Sequence, residues 1–194
     1  MGKTTHKMRL ILRAPVAQRV ALIAVAAVAL SACGSRTNRF SGNGYAFDYP
    51  GNWRPRTSLT FEAATGAGAL SKEAVGLDDL NLAVVLTTRL DRSVTTQRLP
   101  QLAVQAATDL RQVASRGGGS VIQGPDAVTI AGLPGFRFQL SGIQEGSTRV
   151  DGRLILAFQG RTEYLILCQH TPQFADQVES ACDQILRTFR QTAR

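Results

Sequence analysis

The 194-residue chain is poor in the side chains from which reactive sites are built: it holds two histidines, three cysteines and one tryptophan, and only 6% of it is aromatic. With His170 the single histidine beyond the first 32 residues, and Cys168 and Cys182 expected to be oxidised to each other, only carboxylates are left for a metal. Long apolar runs are scarce as well. Val20 to Leu30 (VALIAVAAVAL) has eleven residues, and as a helix it spans about 17 Å against a hydrocarbon core of roughly 30 Å. A permanent membrane span is therefore the weaker reading. Acid is missing from residues 1 to 19, which carry Lys3, Lys7, Arg9, Arg13 and Arg19. Basic residues ahead of a short apolar run are the order of an export signal.

The residues just beyond that run are more particular. Ser31 and Ala32 supply the small residues that processing needs, and Cys33 comes directly after them. Leu30-Ser31-Ala32-Cys33 resembles the lipobox of bacterial lipoproteins, in which the thiol takes a diacylglyceryl group and becomes the mature N-terminus. The resemblance implies that residues 1–32 are a lipoprotein signal peptide and that Cys33 carries acyl chains such as palmitate. Two or three chains hold a protein stably on a membrane, since each buried CH₂ contributes about 0.8 kcal/mol. The competing reading is an ordinary secretory signal with a chance cysteine at the cut.

Removing the five basic residues of the signal from the 22 in the chain leaves 17 against 14 acidic residues, a surplus of three. The arginines are scattered, so nucleic acid is not the partner that this charge selects. Arg36, Arg39, Arg54 and Arg56 stand near anionic headgroups if Cys33 is anchored, but a solvated linker needs no such explanation and is the preferred reading.

Residues 33–44 (CGSRTNRFSGNG) are polar and glycine-rich and read as a flexible tether with a reach of about 40 Å. A single α/β domain is expected over 45–194. Tyr45, Phe47 and Tyr49 alternate as a strand, and Ser58 to Ala63 reads as a second. Ala64 to Gly76 reads as a surface loop, and Asp79 to Leu90 as a central strand. Leu99, Leu102, Ala106, Leu110 and Val113 recur at helical spacing, with Pro100 in the first turn and Gly117-Gly118-Gly119 at the end. Short strands come next over 120–123, 127–130, 136–142, 148–159 and 162–170, joined by hairpin signals at Ala131 to Gly135 and Gln159 to Arg161, so this half is antiparallel. Pro172 leads into a last helix with Phe174, Val178, Ala181, Ile185 and Phe189 on one face.

Two cysteines remain in the exported part. Tyr164, Ile166 and Cys168 share one side of a strand, and Cys182 lies near the apolar face of the last helix. A disulfide between Cys168 and Cys182 staples helix to strand, as the compartment favours; two buried thiols are the alternative.

The chemistry is sparse. His170 lacks a nucleophile-elbow motif, and the pair Asp78-Asp79 reads as a strand start or a solvated turn. The glycine clusters at 66–68 and 117–119 lack the lysine and hydroxyl of a phosphate loop. Trp53, with Tyr49 and Tyr45, either lines a binding pocket or plugs the core beneath the first hairpin.

YAFDYPGNW (45–53), IAGLPGFR (130–137) and GRTEYLIL (160–167), set in the order strands, helix, antiparallel strands, helix, resemble the PsbP-like domain of LpqN- and LpqT-type lipoproteins from actinobacterial envelopes. That resemblance implies an α+β fold, an antiparallel sheet packed with two main helices. It also implies a non-enzymatic domain on the outer side of the cell membrane, without cofactor or metal. Its partners are then the membrane and an envelope protein, or alternatively a lipid or small apolar ligand carried between sheet and helix.

Overall fold

A computed structural model describes residues 36–56 and 69–192. The signal segment, Cys33 and the strand expected over 58–63 lie outside the described residues.

The first element corrects the expected tether. Thr37–Gly42 is a strand, β1, paired antiparallel with β2, Tyr45–Pro50. Asn43 and Gly44 turn the hairpin with φ of 55° and 84°, the left-handed conformations that a two-residue turn of this hand requires. Phe40 supplies the apolar contact, its ring 5.3 Å from that of Tyr45 and 5.2 Å from that of Phe47.

A larger sheet is built from β3 (Arg54–Pro55), β4 (Ala69–Gly76), β5 (Leu82–Arg89), β6 (Ser120–Ile130), β7 (Leu133–Glu145), β8 (Thr148–Gln159) and β9 (Thr162–His170). Their spatial order is β3-β4-β5-β9-β8-β7-β6, with every neighbour antiparallel. Three expectations change here. Ala69–Gly76, read as part of a loop, is a strand against β5. The start of the central strand is a turn: Asp78 Oδ1 accepts from the backbone N–H groups of Leu80 and Asn81 at 2.9 and 2.8 Å, so pairing begins at Leu82. The two strands at 120–123 and 127–130 are one strand with irregular register around Gly124-Pro125.

The chain between β5 and β6 forms helix α1, Leu99–Arg116, and the chain after β9 forms α2, Ala175–Thr188. A short β10, Arg190–Gln191, then joins β2 to complete a three-stranded sheet β1-β2-β10.

Each helix covers one face of the large sheet. On one face Val85, Ile155, Ala157, Tyr164 and Ile166 meet Tyr45, Phe47 and Trp53 together with Val178, Ala181 and Ile185 of α2. On the other, Val84, Phe136, Phe138, Leu154 and Leu156 meet Ala103 and Ala107 of α1. Being covered twice explains why β5 reads LAVVLTT, apolar without alternation: from Leu82 to Thr88 every residue is buried.

Candidate functional site

The aromatic residues expected near a binding surface lie in the core. Tyr45 and Trp53 are fully buried and Tyr49 nearly so. Tyr45 stacks on Phe189 at 5.8 Å and meets the edge of Tyr164 at 6.2 Å, and Phe47 sits 6.1 Å from Tyr49. The reading of Trp53 as a core plug therefore holds, and the pocket-lining reading of the three does not. The reason is positional: β2 is the middle strand of the small sheet, and its inner side faces the large one. Burial pushes the Tyr45 phenol up to about 12, with the Ser71 hydroxyl opposing the shift.

Cys168 and Cys182 are bonded, with Cα atoms 6.0 Å apart. Beside them stands an ionic cluster that sequence reading did not find. Arg153 is the cross-strand partner of Cys168, and its Nη2 lies 2.7 Å from Glu179 Oε2 and 2.8 Å from Asp183 Oδ1, both on α2. His170 belongs to the same cluster: Nε2 is 3.5 Å from Glu179 Oε1 and Nδ1 is 3.2 Å from the Thr171 carbonyl. The signal available was charge at an inward position of β8, in register with Ile155 and Ala157. Thr171 in turn donates from its N–H and hydroxyl to Asn81 Oδ1 at 2.9 and 3.1 Å, which ties the start of α2 to the β4–β5 turn. The cluster joins sheet to helix, and among the described residues no hydrogen bond links the imidazole to a serine or threonine hydroxyl.

A groove of about 430 Å³ opens where α1 begins, between Leu99 and Pro100 on one side and Ala127 to Thr129 with Pro134 to Phe136 on the other. It is open and mostly apolar, with Phe136, only 7% exposed, on the sheet side. Among the described residues no group of three or more His, Cys, Asp or Glu side chains is placed to hold a metal ion. Among them, too, no helix is long and apolar enough to cross a membrane.

No protein-family model and no curated protein sequence matches the chain. Solved structures do. PsbP (CyanoP) of the cyanobacterium Synechocystis is 15% identical over 81% of this chain and 94% of its own, with a TM-score of 0.54. LpqN of Mycobacterium tuberculosis, a protein involved in cell envelope biogenesis, is 11% identical over 86% and 96%, with a TM-score of 0.47. A Pseudomonas aeruginosa protein is 11% identical over 82% and 99%, with a TM-score of 0.48. At such identities the likeness is one of architecture, and the chain has a PsbP-like α+β fold.

Proposed function

We propose that this protein is a lipid-anchored, extracytoplasmic lipoprotein whose single domain binds an envelope protein without catalysis. The observation that carries the reading is Leu30-Ser31-Ala32-Cys33 standing directly ahead of a folded domain that starts at Thr37. A Cys168–Cys182 bond suits a protein matured outside the reducing cytoplasm. The engagement of both His170 nitrogens with Glu179 and the Thr171 carbonyl favours a structural histidine over a general base. Intact mass spectrometry of membrane-extracted protein tests the anchor: the expected chain begins at Cys33 and carries acyl mass, and Cys33→Ser removes the acyl mass and releases or misprocesses the protein. Acyl labelling unchanged by that substitution overturns the reading.

A second reading rests on the groove at the start of α1. Its size and apolar lining suit a small apolar ligand between sheet and helix, as in a carrier. Phe136→Trp places a fluorophore there, and an emission shift on titration with a fatty acid supports the carrier, whereas a flat titration removes it.

A further inference from the structure

The lipidated end leaves the fold at a defined corner. The Gly51 N–H donates to the Arg36 carbonyl at 2.6 Å, so the chain is already fixed at Arg36. Three residue steps separate Arg36 from Cys33, a reach of at most about 11 Å, in place of the 40 Å of a free tether. A headgroup layer is roughly 6 Å thick per leaflet, and charges interact across about 8 Å at physiological ionic strength. A domain held this closely meets the bilayer with the corner from which the chain emerges.

That corner is basic and exposed. Arg36, Asn52 and Arg54 lie at its surface. Neither arginine forms an ion pair among the described residues, whereas Arg39 is taken by Asp48 at 2.8 Å and Arg56 faces Asp79 at 3.7 Å. Arg54 Nη1 donates to the carbonyls of Gly51 and Trp53 at 2.8 and 3.0 Å, which holds its guanidinium against the turn beside Arg36. Arg54 pairs with Gly76, Gly76 with Leu82 and Leu82 with Gln169, so the corner lies at one end of the large sheet. Ser93 lies at the other end, where the Val94 N–H donates to the Gly160 carbonyl. The nine residues of β9 put about 30 Å between the two ends.

Resting on the lipid anchor proposed above, we propose that the Arg36–Arg54 corner is a docking face for anionic phospholipid headgroups. The bilayer then sets the orientation of the domain: the start of α1 and its groove point away from the membrane.

The test uses the lipidated full chain in vesicles with nitroxide-bearing headgroups, labelled with a fluorophore at Asn52→Cys or at Ser93→Cys. Cys168 and Cys182 are bonded and Cys33 is acylated, so neither competes for the label. In vesicles containing phosphatidylglycerol the probe at position 52 is quenched and the probe at 93 is not. Arg36→Gln with Arg54→Gln weakens the contact about fivefold per arginine removed, and added salt does the same. Equal quenching at the two positions in a protein of confirmed acyl mass overturns the docking face and leaves the anchor standing. Quenching at 52 that ignores both arginines and lipid charge overturns the recognition of anionic headgroups. Absence of acyl mass overturns anchor and docking face together.

Discussion

Trp53 shows what one residue contributes once the layers have closed on it. It lies three positions beyond β2, its indole is fully buried, and it shares a cluster with Val75, Val85 and Ile166. Trp53→Ala removes that volume from a packed layer and is expected to cost about 3 to 5 kcal/mol, a large share of the 5 to 15 kcal/mol that holds a typical domain. Urea denaturation measures it; a loss below about 1 kcal/mol would place the indole at a surface. Tyr45 adds a pH signature. Its phenol is raised from 10.0 to about 12, so the folded state holds its proton where the unfolded state has lost it. The stability it supports is complete below about pH 10 and is lost as pH rises through about 12, by roughly 2 to 3 kcal/mol. Comparing denaturation midpoints across that window with those of Tyr45→Phe isolates the effect, because the phenylalanine variant lacks this part of the slope. The alternation of Tyr45, Phe47 and Tyr49 was legible in the sequence, but which side of the strand meets the core was not. That depended on the large sheet lying beneath it.

Among the elements, β9 and α2 are joined covalently. The bond between Cys168 and Cys182, 14 residues apart, and the Arg153–Glu179–Asp183 cluster both link the large sheet to α2. Cys168→Ser is expected to destabilise the domain by about 3 kcal/mol through a less constrained unfolded chain. Thermal melts with and without reductant check this, and equal midpoints for the wild-type protein would mean that no native bond exists. At the β7–β8 pairing the limit is steric. A Cβ on Gly135 would stand 2.1 Å from the Leu156 carbonyl oxygen, closer than any real contact. Gly135→Ala therefore pushes the strands apart and is expected to cost about 1 to 3 kcal/mol, with amide exchange quickening at Leu156 and Ala157 first. The hairpins of this half were readable from their turns, Ala131-Gly132 and Gly160-Arg161. β1 and β4 were not. TNRFSG has one apolar residue in six, and ALSKEAVG mixes small and charged residues, so neither carries the alternation that marks a strand. Both are strands because a neighbour offers them an edge. The Asn-Gly pair at 43–44 was the one local signal for β1.

For the molecule as a whole, the consequence is that the described domain begins at Arg36, three residues after the cysteine proposed as the anchor. Trypsin can cut after Arg36 and after Arg39, and the two readings of this segment separate the products. With β1 in the sheet, limited proteolysis of the native protein is expected to trim to Thr37 and leave the Arg39–Phe40 bond intact. A resistant fragment beginning at Phe40 in the mass spectrum would restore the free tether. If Cys33 is acylated as proposed, the short stem bears on function, because one end of the domain is then turned to the bilayer and the other away. The groove beside Leu99 and Phe136 lies at the second end.

From the sequence alone came the kind and order of the main elements: two amphipathic helices, an antiparallel second half, and two cysteines placed to bond. These arise from periodicity and turn chemistry, which act over a few residues and leave their pattern in the chain. Tertiary structure alone decided that Tyr45, Tyr49 and Trp53 are core, that Arg153 and His170 meet Glu179, and that residues 37–42 belong to the fold. Each of these depends on a partner far along the chain: β2 beneath the large sheet, β8 against α2, β1 on the edge of β2. A strand with little apolar character becomes ordered only when a neighbour completes its hydrogen bonds. An aromatic residue becomes core only when a second layer closes over it.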